Sequence, residues 1–207
     1  MSRIHSGVYN LDLYNYNIVG LINNIILSIK DYSKAHNLNV EFFSNVDECI
    51  IACDPEKIER IMLNLLSNAI KFTESGGHIK VDIHKSEDEI KISVNDSGIG
   101  IPEDKLMYIF NRFSQVDKGL HRNREGSGIG LSLVKSFVDM HEGKINVSSK
   151  LGEGTEFTIV LPVREIEDRS GNEQPIDISQ SNVEIMQIEF ADIYRTSILK
   201  LNKFLGG

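Results

Sequence analysis

The sequence predicts an α+β domain, a two-layer sandwich in which a mixed, mostly antiparallel sheet is covered by helices on one face. Three observations predict it. Apolar spacing alternates along the chain between a helical period and a period of two, in the order helix, two strands, helix, hairpin, short helix, loop, helix, hairpin. The closely coupled strand pairs are hairpins, and hairpins pair antiparallel. Strands also outnumber the available strand–helix–strand units, so an all-parallel sheet is excluded and helices stacked on one face are the natural solution.

The elements follow in chain order. Ile18, Leu21, Ile22, Ile25, Ile26 and Ile29 fall at helical spacing. Val40 to Phe43 and Ile50 to Cys53 read as short strands. Asp54-Pro55 opens a helix, with the carboxylate as N-cap and proline at the first helical position, running to Phe72 and ending before Gly76-Gly77. Ile79, Val81 and Ile83 alternate with polar residues, a charged turn spans Lys85 to Glu89, and Ile90, Ile92 and Val94 alternate again. Pro102 and Glu103 start a short helix to Phe110. Ser114 to Glu125 has no periodicity and reads as a mobile loop. Ile129, Leu133, Val134, Phe137 and Val138 then line one face of a helix that Gly143 ends, and the strands around Ile145–Val147 and Phe157–Leu161 flank the turn at Gly152 and Gly154. The expected division is a leading segment to residue 17, a domain over 18–163, a polar linker over 164–182 and a tail over 183–207.

The 207 residues carry a net charge of −8, which argues against a nucleic-acid groove, whose footprint is basic. Cys49 and Cys53 are the only cysteines and read as reduced thiols. No apolar run approaches the ~20 residues of a membrane span.

The chemistry concentrates in three places. On the helix from Pro55, Asn64, Asn68 and Lys71 fall together opposite the apolar face at about 100° per residue. Carboxamide oxygens suit Mg²⁺ and an ammonium suits phosphate, although a merely solvated polar face has the same pattern. Asp96 is in phase with Ile90, Ile92 and Val94, so strand alternation turns it toward the core. A buried carboxylate needs a partner, such as the exocyclic amine of adenine, and Gly98 and Gly100 open space beside it; capping of the Ser97-Gly98 turn is the plainer alternative. Gly126, Gly128 and Gly130 precede an apolar helix, as in phosphate binding at a helix N-terminus. Arg112, Lys118, His121, Arg122 and Arg124 bring cations to the intervening loop of an otherwise acidic chain.

This set resembles the catalytic ATP-binding domain of bacterial sensor histidine kinases, a fold shared with gyrase, the ninety-kilodalton heat-shock chaperone and MutL. Asn64-Leu-Leu-Ser-Asn68-Ala-Ile-Lys71-Phe72 is similar to the N box and Asp96-Ser-Gly98-Ile-Gly100 to the G1 box. Phe110-Asn-Arg112-Phe113 is similar to the F box, Gly126-Ser-Gly128-Ile-Gly130 to the G2 box and Gly152-Glu-Gly154-Thr155 to the G3 turn. The likeness covers roughly Asn39 to Pro162.

The resemblance implies roles. Asn68, helped by Asn64, would hold Mg²⁺ against the triphosphate of ATP, Lys71 would touch phosphate and Arg112 the γ-phosphate. Asp96 would bind adenine, Gly98 and Gly100 would admit the base, and Gly126, Gly128 and Gly130 would form the phosphate-side end of the lid. Thr155 is counted with the nucleotide-binding residues. Asn64 stands where the gyrase, chaperone and MutL branches carry a hydrolytic glutamate, which favours transfer to a histidine over hydrolysis.

The implied partners are a histidine-bearing dimerisation domain, through which the parent kinase would be a homodimer, and a response regulator. No acceptor motif surrounds His5, His36, His78, His84, His121 or His141, so the chain reads as a kinase fragment or truncated kinase, with residues 1–17 a linker remnant after the dimerisation helices. A cytoplasmic domain of a membrane-anchored parent is the expected setting. Two other readings stand beside this one. One is a stand-alone serine kinase or anti-sigma-type switch, and the other a nucleotide-binding module that has lost catalysis.

Overall fold

The structure is a computed structural model and describes residues 10–111 and 130–167. Seven strands and four helices alternate among the described residues, in the order β1 Tyr14–Asn17, α1 Ile18–Ala35, β2 Asn39–Ser44, β3 Ile50–Cys53, α2 Pro55–Phe72, β4 His78–Lys85, β5 Glu89–Asp96, α3 Glu103–Leu106, α4 Gly130–Met140, β6 Lys144–Lys150 and β7 Gly154–Pro162. The main sheet has the order β2-β4-β5-β7-β6. Its β2–β4 pair is parallel and the other three are antiparallel. The mixed, mostly antiparallel sheet expected from the hairpins is therefore the one that forms.

The period-two pattern decides which face is covered. Ile79, Val81 and Ile83 of β4, Ile90, Ile92 and Val94 of β5, and Phe157, Ile159 and Leu161 of β7 are all buried. They meet Ile22, Ile25 and Ile29 of α1, Ile58, Met62 and Leu65 of α2, and Val134, Phe137 and Val138 of α4 in one core. The opposite face carries Lys80, Asp82, His84 and Lys91, with the Lys80 ammonium 4.9 Å from the Phe43 ring centroid.

The Asp54 cap anticipated from the sequence is in place, and α1 has one that was not anticipated. Asp54 accepts a hydrogen bond from the Lys57 N–H, and Pro55 occupies the first turn of α2. Asn17 caps α1 by accepting from the Gly20 N–H. Cys49 and Cys53 are buried free thiols, and burial pushes Cys53 up to about 12.

Two elements differ from the sequence reading. The helix expected from Glu103 to Phe110 is a single turn, Glu103–Leu106, after which the chain bends through hydrogen-bonded turns to Asn111. The stretch read as a leading segment contains β1, which pairs antiparallel with β3, Tyr14 opposite Cys53 and Asn17 opposite Ile50. Beyond Pro162 the chain returns to this small sheet. Arg164 O accepts from the Ala52 N–H at 2.7 Å, and Asn15 both donates to Ile166 O at 2.9 Å and accepts from the Ile166 N–H at 2.8 Å. None of the helices among the described residues is long and apolar enough to cross a membrane.

Candidate functional site

The site forms where α2, the end of β5, the start of β7 and the start of α4 converge. Asp96 is the last residue of β5, opposite Ile79 of β4 and Thr155 of β7. Strand alternation turns it inward as expected, and only 6% of it is exposed. Its Oδ1 accepts the Gly98 N–H at 2.9 Å. Burial raises its pKa from the usual carboxylate value, while bonds from the Gly98 and Thr155 backbone N–H groups and the nearby His78 oppose that rise. The plainer alternative, a carboxylate that caps its own turn, is thus part of the geometry. The carboxylate of this deeply buried residue accepts from two backbone N–H groups, those of Gly98 and Thr155.

The glycines beside Asp96 are dictated by close approach. A Cβ on Gly98 would lie 2.5 Å from Phe72 O, at the C-terminal end of α2. Gly100 has φ +70°, and a Cβ there would lie 2.1 Å from Lys150 O. The loop is stitched to its neighbours by Ile99 N–H donating to Phe72 O and Gly152 N–H donating to Ile99 O. Ser149 completes this stitching, and the sequence reading missed it. Its hydroxyl accepts from the Ile101 N–H at 2.8 Å and donates to Gly154 O at 2.7 Å. A serine in an ordinary polar position of a strand carries no signal for that role. Thr155 is buried, with its hydroxyl 3.0 Å from Ser149 Oγ, so its visible contacts support Asp96 and the loop.

On α2 the amides are not on a solvated face. Asn64 is buried at 7% exposure, and Asn68 and Lys71 are half-buried. The Asn68 amide donates to Asn64 Oδ1 across a long 3.4 Å. Gly130, the first residue of α4, sits against Asn64, where an added Cβ would come within 2.3 Å of Nδ2. The N-terminus of α4 therefore opens directly onto the first of the two amides. Lys71 lies in the last turn of α2, its ammonium 5.7 Å from the Phe72 ring centroid.

The structure brings Asn64, Asn68 and Gly130 together at one end, and Asp96, Gly98, Gly100 and Thr155 at the other. Arg112, Gly126, Gly128 and Ile129 lie outside the described residues, as does the loop from Ser114 to Glu125. Phe110 is described and packs edge-on against Phe157 with ring centroids 6.3 Å apart, as an anchor in the core. A shallow groove is lined by Glu74, Ser75, Ser97, Ile99 and Leu151. Gly98 lines it too, so the groove adjoins the Asp96 end of the site, while Asp96 itself and the α2 amides do not line it.

The donor set decides which cation would fit. No group of three or more His, Cys, Asp or Glu side chains among the described residues is placed to hold a metal. What the site offers is a pair of carboxamide groups one helical turn apart. Mg²⁺ is commonly held through one or two protein oxygens together with waters and substrate phosphates, and a 3.4 Å amide contact is weak enough to exchange for it. The residues present fit that ion only in the company of a phosphate ligand.

Comparison with known proteins identifies the family. Residues 53–165 match the family model described as histidine kinase-, DNA gyrase B-, and HSP90-like ATPase. The circadian input-output histidine kinase CikA of Synechococcus elongatus is 31% identical over 166 residues, 78% of this chain and 22% of that protein. The sensor histidine kinase WalK of Bacillus subtilis is 33% identical over 177 residues, 84% of this chain and 28% of that protein. The chain thus spans less than a third of either relative's length. Among solved structures, the catalytic domain of the histidine kinase ThkA superposes with a TM-score of 0.66 at 25% identity, covering 74% of this chain and 97% of that one. Full-length ShkA in complex with AMPPNP superposes with a TM-score of 0.68 at 25% identity, covering 79% of this chain and 34% of that one. By the family match over more than half its length and by its fold, the chain belongs to the histidine kinase-, DNA gyrase B- and HSP90-like ATPase family, as an ATP-binding domain of the histidine kinase type.

Proposed function

We propose that the domain binds ATP with Mg²⁺ and transfers the γ-phosphate to a histidine on a dimerisation domain outside this chain, for relay to an aspartate of a response regulator. The observation that carries the reading is the buried Asp96 carboxylate, held at a strand end beside a glycine loop packed tightly on Phe72 and Lys150. Its oxygens accept, so they select a ligand edge that donates, and the exocyclic amine of adenine is such an edge. ShkA, with the same fold, is solved in complex with AMPPNP.

The remaining residues sort by charge. The N-terminus of α4 at Gly130, with Gly126 and Gly128 before it, is suited to phosphate oxygens. By the resemblance, Lys71 would touch phosphate and Arg112 the γ-phosphate, each supplying positive charge. Asn64 and Asn68 would hold the cation through their amide oxygens, and Mg²⁺, when bound, would neutralise phosphate charge. In the transfer, a ring nitrogen of the acceptor histidine forms a bond to the γ-phosphorus as the bond to the bridging oxygen of the β-phosphate breaks, and ADP departs with that electron pair. Asn64 is neutral and does not accept a proton from water, so positioning for transfer is favoured over hydrolysis.

The test is to mix the protein with radiolabelled ATP, Mg²⁺ and the separately expressed acceptor hairpin of its parent kinase. The expected product is a phosphoprotein labile to acid and stable to alkali. An acid-stable product would mark a serine kinase, and saturable ATP uptake with no phosphoprotein would mark a silent module; either outcome overturns the proposal.

A further inference from the structure

One buried titratable group lies well away from the residues placed around the nucleotide. His141 follows the last residue of α4 and is 5% exposed. Its Nδ1 is 2.7 Å from Phe137 O, a group that only accepts, so Nδ1 carries the hydrogen. Its Nε2 accepts the Asp54 N–H at 3.0 Å, so that nitrogen is bare. The two partners together fix one neutral tautomer.

Asp54 is itself a junction. It caps α2 by accepting the Lys57 N–H on Oδ1, and its Oδ2 accepts the Asp12 N–H at 3.1 Å and lies 3.2 Å from the Lys57 ammonium. His141 therefore fastens the C-terminal end of α4 to the N-terminal cap of α2. At the far end of the same pair, Gly130 of α4 rests on Asn64 of α2. The two helices run antiparallel between these points, a span of about 15 Å on each. A straight helix held at one end transmits any displacement there to the other.

We infer that His141 is a positioning residue: by holding the ends of α2 and α4 together it sets the spacing of Asn64 and Gly130, and so the fit of the triphosphate and its cation. The inference rests on the nucleotide reading above. Asp96 and its glycines belong to the sheet and its loops, so the adenine end does not depend on this link. Protonation of His141 would set an N–H against the Asp54 N–H. Of the charged groups beside the ring, Asp54 at the cap of α2 favours the protonated form and Lys57 in its first turn opposes it, while burial, the largest effect, holds the ring's pKa below its usual value.

Calorimetric titration of His141→Phe and His141→Gln with ATP·Mg²⁺ and with adenosine tests this, with folding checked by circular dichroism. Glutamine keeps an acceptor oxygen where Nε2 stands. His141→Phe is expected to weaken ATP·Mg²⁺ roughly tenfold or more and adenosine by less than about twofold, since misplacement at a distance costs this much where geometry is exacting. His141→Gln is expected to restore ATP·Mg²⁺ to within about threefold of wild type. Wild-type affinity for ATP·Mg²⁺ should fall, relative to the glutamine variant, as pH drops below 6.5, the nucleotide's own titration being common to both. Equal weakening of both ligands, or no weakening, overturns the inference. Should the phenylalanine variant fail to fold, a pH profile for His141→Gln identical to wild type overturns it. Wild-type protein that is folded and takes up no ATP removes the nucleotide reading itself, whereas uptake that ignores His141 removes only this one.

Discussion

Gly130 and Asn64 are packed so closely that the smallest side chain at position 130 would come within 2.3 Å of the Asn64 amide nitrogen and 2.8 Å of its oxygen. The start of one helix and the amide of another are thereby one unit. Glycine at this position is a condition for Asn64 to keep its orientation.

Gly130→Ala should accordingly displace the Asn64 amide. The expected outcome is a loss of about tenfold in ATP·Mg²⁺ affinity, close to the effect of one misaligned polar contact, with adenosine affinity held. Titration calorimetry with the two ligands checks it.

Asp96→Asn replaces one acceptor oxygen by a donor in a pocket where the Gly98 and Thr155 N–H groups already donate. Whichever way the amide turns, it faces a donor. Adenine nucleotides should bind more weakly by about 1–3 kcal/mol, and guanine nucleotides should lose nothing comparable. Competition binding of the two nucleotide classes checks the difference.

Gly154→Ala should be the more damaging change to the fold. Gly154 has φ +110°, and a Cβ there would lie 1.9 Å from Asp96 O. Backbone must move, and the β5–β7 ladder is the backbone involved. A loss of about 3 kcal/mol or more is expected, read as a shift in the urea midpoint.

Glu59 gives a pH prediction. It is 2% exposed on α2, its Oε1 has no hydrogen-bond partner, and burial first and Glu56 second push its carboxyl to about 7. A folded-state value above the unfolded 4.5 means that its stabilising contribution is full below pH 4.5 and is lost as pH rises through about 7. The wild-type domain should carry a destabilisation on the order of 2 kcal/mol from this residue at pH 8 relative to pH 4.5. Glu59→Gln should flatten that part of the profile, as measured by denaturant unfolding at the two pH values.

How far the sequence could be read depended on how local each determinant is. The β4–β5 hairpin was legible from alternation alone, and the Asp54-Pro55 start of α2 from two adjacent residues, because capping and pleating are settled within a few positions. Asp96 was legible for the same reason, being in phase with Ile90, Ile92 and Val94. β1 was not. Tyr-Asn-Tyr-Asn has no core stripe of its own and becomes a strand by pairing with β3, distant in sequence. Asn64 was placed correctly on the helix but its burial was not visible, since a helical wheel shows which way a residue points and not that α4 begins on top of it. Ser149 and His141 act through partners far along the chain, and no spacing rule reports such partners.

The reciprocal bonds between Asn15 and Ile166 have a mechanical consequence. They tie together two positions 151 residues apart in sequence at one corner of the described residues. A twist delivered at that corner is passed to the sheet and helices between them as one body. By the same geometry, joining the chain near Ile166 to the chain near Asn15 and reopening it at the exposed turn between Lys85 and Glu89 should yield a circular permutant with its interior intact.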